Sequence, residues 1–80
     1  MEQHHATEDV QVARGMNLVQ RYKYRRLRSV YECLELQQWL KAAYLDNPAV
    51  EDDQRNNARL IYAGVEAVRL DLEHRHVSGA

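Results

Sequence analysis

Eighty residues carry 11 Lys+Arg against 12 Asp+Glu, a formal net charge of −1, and a single cysteine. That length allows one domain at most, and one core of this size stabilises by only about a few kcal/mol unless disulfides, metal or oligomerisation add to it. The lone Cys33 excludes an intrachain disulfide, no apolar run reaches the ~18 residues of a membrane span, and Met1-Glu2-Gln3-His4-His5 has neither the basic nor the apolar region of a signal peptide. The expectation is a cytoplasmic protein that does not enter a membrane.

In chain order, residues 1–8 read as a disordered lead-in and 9–77 as a helical domain. Thr7 can cap the first helix, with Glu8 and Asp9 placed well against its dipole, and Gly15 either kinks that helix or weakens it by about 1 kcal/mol relative to Ala. From Asp9 to Asp46 the hydrophobic period is helical, and it marks two sides. One stripe runs Val12, Met16, Val19, Leu27, Val30, Leu34; the other runs Leu18, Tyr22, Cys33, Leu36, Leu40, Ala43. At about 100° per residue the two stripes stand roughly 120° apart, and two apolar faces ask for two neighbours.

Asp46-Asn47-Pro48 is the clearest punctuation. Asn47 suits an N-cap, Pro48 the first helical position, and Glu51, Asp52 and Asp53 the positive helix end, so a second helix is expected from Pro48 to His76. Its seam, Ala58, Ile61, Val65, Val68 and Leu72, has coiled-coil-like spacing. Folding it back about Asn47-Pro48 pairs residues whose numbers add to about 95, which sets Val65 beside Val30 and Ile61 beside Leu34.

This hairpin satisfies the first stripe and leaves the second facing water. Either helix one is continuous and the second stripe meets another chain, or the helix breaks near Glu35–Gln38 and a third helix wraps round. The absence of Gly, Pro or a turn dipeptide between Gly15 and Asn47 favours the first. The expected fold is therefore all-α, an antiparallel hairpin of two long helices that dimerises into a helical bundle. Leu18, Tyr22, Cys33, Leu36, Leu40 and Ala43 form the expected dimer interface. At about 57 Å, helix one would also overhang helix two, at about 44 Å, leaving Val10 to Met16 without an intrachain partner.

Arg14, Arg21, Arg25 and Arg28 fall within roughly a 60° arc of such a helix, a basic ridge with Tyr22 and Tyr24 beside it. Guanidinium forks suit phosphates or carboxylates and tyrosine rings stack on bases, yet a chain pI near 6.4 argues against a dedicated nucleic-acid binder. The ridge can equally be an internally paired face. Glu2-x-x-His5 and Glu73-x-x-His76 have a metal-ligand spacing but lie at frayed ends, with no buried Glu from another helix to complete a set. Cys33 and Ser29 lack a neighbouring base, and no Gly-rich phosphate loop occurs, so no enzyme, metal or cofactor is expected.

The functional expectation is a small non-enzymatic protein–protein interaction module, an adaptor, regulator or inhibitor acting as a homodimer. Arg14, Arg21, Arg25, Arg28, Trp39 and Tyr44 are its candidate partner-binding residues. A nucleic-acid-binding regulator using the same ridge is the alternative, and a structural subunit of a larger complex is the third reading.

Overall fold

A computed structural model describes residues 2–79, with side chains described from Val10 to Arg75. It is all-helical among those residues: α1 (Glu2–Lys23), α2 (Val30–Leu40) continuing into a π-helical turn (Lys41–Leu45), and α3 (Asp52–Gly79). None is long and apolar enough to cross a membrane. The expected Asp9–Asp46 helix is two helices, and the break lies at Tyr24–Ser29 instead of Glu35–Gln38.

The break has a local cause that no glycine or proline announces. Arg25 takes a left-handed conformation, φ 58°, and is the only non-glycine residue to do so among the described residues. Its N–H donates to the Tyr22 carbonyl at 3.0 Å, and the Arg26 N–H reaches back to the Arg21 carbonyl at 2.7 Å. Those two bonds make a Schellman motif with arginine where glycine is usual. Four residues later Ser29, extended at φ −135°, ψ 152°, caps α2 by accepting from the Glu32 N–H at 3.1 Å. Glu32 in turn accepts from the Ser29 hydroxyl at 3.3 Å and from the Arg28 N–H at 3.0 Å. Ser29-x-x-Glu32 is thus a capping box with its return bond shifted by one residue.

Once the chain reverses, the second stripe of α1 and that of α2 join one core. Gly15, Leu18, Val19 and Tyr22 of α1 face Cys33, Leu36, Gln37 and Leu40 of α2, and α3 closes the third side with Ala58, Ile61, Val65, Val68 and Leu72. Leu18, Cys33, Leu36, Leu40 and Val65 are fully buried. The face expected to meet a second chain is filled by this chain's own helices. Of the other stripe, Val19 and Leu27 are buried, whereas Val12, Met16 and Leu34 are exposed at 54%, 49% and 44%. The seam expected on the last helix is on the core side as drawn.

Two glycines set how closely the helices approach. The Trp39 indole lies directly on Gly15, and the Tyr22 phenol lies on Gly64, where a Cβ would stand 2.8 Å from the ring carbon Cζ. Gly15 does not end α1; it is the seat for an aromatic ring from α2. Trp39 also meets Tyr44 edge-on, ring centroids 5.7 Å apart at 72°.

The second turn also differs from expectation. Asn47 caps no helix: its Oδ1 accepts from the Ala49 N–H at 3.0 Å, and the Val50 N–H reaches the Asn47 carbonyl at 3.3 Å, so Asn47-Pro48-Ala49-Val50 is a β-turn with proline at its second position. Arg55 fastens the loop from α3, donating to the carbonyls of Asn47 and Val50 at 2.9 and 3.1 Å. The helix therefore starts at Asp52, four residues after Pro48. The later start and the extra residue of the π turn move the pairing outward. Gln37 Nε2 donates to the Tyr62 carbonyl at 3.4 Å, so α2 and α3 are antiparallel, about one helical turn from the expected register.

Candidate functional site

Four arginines were expected to share one ridge, and the fold divides them. Arg14 and Arg21 face α2, where they hold the α1–α2 register. Arg14 grips Glu35 through Nε at 2.8 Å and Nη2 at 3.1 Å, and Arg21 Nη1 meets Glu32 at 2.5 Å. Arg25 and Arg28 belong to the reversing loop, where helical arithmetic no longer applies. Two of the four arginines, Arg14 and Arg21, are thus paired within the chain, with Glu35 and Glu32 of α2.

These pairings perturb the groups involved. Glu32 is held below the usual carboxylate range, chiefly by the Arg28 backbone N–H and also by Arg21 and Ser29, against an opposing effect of burial. Glu35 is lowered chiefly by its hydrogen bonds to Arg14, and Arg14 is raised in return. Both carboxylates accept hydrogen bonds that join or cap the helices. Burial pushes the Cys33 thiol up, so it stays protonated and behaves as a small apolar side chain.

What remains available is the end of the bundle. Lys23, Arg25, Arg26 and Arg28 have no ion-pair partner among the described residues. Tyr24 and Tyr31 flank them, 72% and 73% exposed. Arg21, Tyr24, Arg26 and Arg28 line an open groove on one side of the loop with Asn17, Gln20 and Glu32. Lys23 and Arg25 line a second groove on the other side, together with Asp71 and Arg75 of α3. Four cations, two phenol rings and freely reachable guanidinium forks form a surface that can hold carboxylates or phosphates.

No family model, curated protein or solved structure matches this chain.

Trp39 and Tyr44, expected to greet a partner, are half-buried and packed against the core. The indole is committed to Gly15, so neither ring is free to serve as an anchor without loosening α1. Tyr22 and Ala43 are half-buried as well, Tyr22 against Gly64. Among the described residues no three His, Cys, Asp or Glu side chains converge. The Glu2-x-x-His5 motif, the Thr7 cap and His76 lie outside the described side chains.

The sequence did contain a signal for the loop. Ser29-Val30-Tyr31-Glu32 has the S-x-x-E pattern of a helix start, and it sits in the middle of the apparent continuous helix.

Proposed function

We propose that this chain is a non-enzymatic protein-interaction module that self-associates and presents its basic, tyrosine-flanked loop to an acidic protein surface. The observation that carries the reading is the set of unpaired cations at Lys23, Arg25, Arg26 and Arg28 between two exposed tyrosines, beside paired Arg14 and Arg21. A chain of net charge −1 that concentrates free positive charge at one end has a local field and little long-range one. Local charge with aromatic contact area suits a short-range protein contact, where Arg and Tyr supply much of the binding energy.

Nucleic acid is the second reading, favoured by the same tyrosines, since rings this exposed can stack on unpaired bases. The two are separated by Arg25→Gln/Arg26→Gln/Arg28→Gln. Protein capture from the native source should be lost in this variant, while duplex and single-stranded oligonucleotides should bind negligibly at about 150 mM salt. Tight oligonucleotide binding at that salt, lost in the triple variant, would reverse the ranking. Undiminished protein capture by the variant would remove the loop from the account.

A further inference from the structure

The outward face of α3 carries an apolar seam that nothing among the described residues covers. Leu60, Ala63, Ala67 and Leu70 recur at three, four and three residues, on the side opposite Ala58 and Val65. Leu60 is 73% exposed and Leu70 52%, and both alanines are exposed. The order large, small, small, large reads the same from either end. An isologous contact needs such a surface, because a two-fold axis brings one patch against itself in reverse.

We propose that α3 pairs with α3 of a second copy in antiparallel orientation, its two-fold axis passing beside Val65. In that register Leu60 meets the partner's Leu70, and Ala63 meets the partner's Ala67. The alanines let the two backbones approach closely at the centre, and the leucines close the seam on either side. Every layer pairs alternate heptad positions, as an antiparallel coiled-coil contact requires.

Charge chooses between the two orientations. Antiparallel pairing sets Arg59 beside the partner's Glu73, twice by symmetry. Arg59 has no ion pair among the described residues and bonds only Asn56 Oδ1, at 2.9 Å. Glu73 takes Arg69 at 2.7 Å but remains 43% exposed and can accept a second guanidinium. Glu66 falls opposite its own copy, and Arg69, bonded to it in each chain, neutralises that contact. A parallel pair would instead set Glu66 against the partner's Asp71 on both sides and leave Arg59 unused. The same helix thus supplies its own electrostatic complement in one orientation only.

This inference rests on the self-association in the proposed function but not on the basic loop, which lies on other residues. The contact spans about four helical turns, short of a standard protein interface, so a micromolar dimer is expected. Sedimentation equilibrium of the full chain, up to several hundred micromolar, should show a monomer–dimer equilibrium. Leu60→Glu should shift it to monomer by at least tenfold in Kd with unchanged helicity and thermal midpoint. Arg59→Glu should weaken it less, and Arg59→Glu with Glu73→Arg should recover part of the loss. For orientation, Leu60→Cys mixed with Leu70→Cys should form a heterodimeric disulfide on mild oxidation, and neither variant alone should cross-link. A wild-type monomer throughout that range, a dimer indifferent to Leu60→Glu, or self-cross-linking of Leu60→Cys would overturn the proposal. Loss of partner capture by the loop variant with the dimer intact would leave it standing.

Discussion

Replacing Gly15 with alanine gives opposite signs in the two architectures this sequence could adopt. In an exposed or loosely packed helix, Gly→Ala stabilises by about 1 kcal/mol, because alanine has less backbone freedom to lose on folding. In the three-helix fold the new Cβ falls inside the space of the Trp39 indole, touching its two fused-ring carbons and its nitrogen. Adding a methylene to a packed site costs about 1–3 kcal/mol through displaced rotamers and backbone shifts. Trp39 cannot turn aside cheaply, since it also holds Tyr44 edge-on at 5.7 Å. The net expectation is a loss of about 1–2 kcal/mol, and a chain of this size moves by roughly 4–8 °C per kcal/mol. Thermal and urea melts followed by far-UV circular dichroism should therefore show Tm lowered by about 5–15 °C. Trp39→Ala removes the obstacle, so Gly15→Ala made in that background should turn neutral or stabilising. A Gly15→Ala variant more stable than wild type in the native background would mean that α1 does not lie on α2 as described.

Arg25→Gly should raise stability by about 0.5–1 kcal/mol, since it relieves an L residue of the left-handed conformation at φ 58°; a drop in Tm would argue against the Schellman turn. Glu32 and Glu35 are both lowered from their ordinary value of 4.5, so the stability they contribute is present above that pH and is lost as pH falls through the lower folded values. Glu32→Gln should cost about 1–3 kcal/mol at neutral pH and flatten the acid-unfolding curve below about pH 4.5, whereas an unchanged curve would place Glu32 outside the α1–α2 junction. Cys33, 0% exposed, should resist thiol reagents until the chain unfolds, with a labelling rate that tracks global opening; rapid labelling of the native protein would contradict its burial. Val65→Asp should destabilise by about 3–5 kcal/mol while Gln54→Asp, on the exposed start of α3, stays nearly silent; equal midpoints would displace α3 from the core.

Much of α3 was legible because its chemistry is local. A seam of Ala58, Ile61, Val65, Val68 and Leu72 in one phase, an acidic first turn and no internal proline specify a helix and its buried side without outside help. The all-α class followed from the same periodicity. The α1–α2 break was hidden because its two ends are written in different ways. The stop uses Arg25 in place of glycine, which has no composition signature, and the start uses Ser29 and Glu32, whose capping pattern was masked by helical period on both sides. Missing the stop had a definite consequence. Counting about 100° per residue straight through Tyr24–Ser29 carried a helical phase across residues that are not helical, and it hid the reversal that lets this chain's own helices cover the second stripe. It also gathered Arg25 and Arg28 onto a ridge with Arg14 and Arg21 that the fold takes apart. The aromatic seats at Gly15 and Gly64 were out of reach for another reason. Each depends on which residue of a different helix arrives opposite, a matter of tertiary register.

The arrangement of α1 on α2 decides everything argued about the surface, and one contact reports it. A nuclear Overhauser effect between the Gly15 α-protons and the Trp39 indole, recorded on a mixture of isotope-labelled and unlabelled chains, tests whether that contact forms within a single molecule. In a continuous helix these residues would stand about 36 Å apart. The three-helix fold predicts a strong intramolecular effect at this pair, matched by one between the Tyr22 ring and Gly64. Its absence, or its appearance only between labelled and unlabelled chains, would return the chain to a long-helix dimer and put Leu18, Cys33, Leu36 and Leu40 back at an interface.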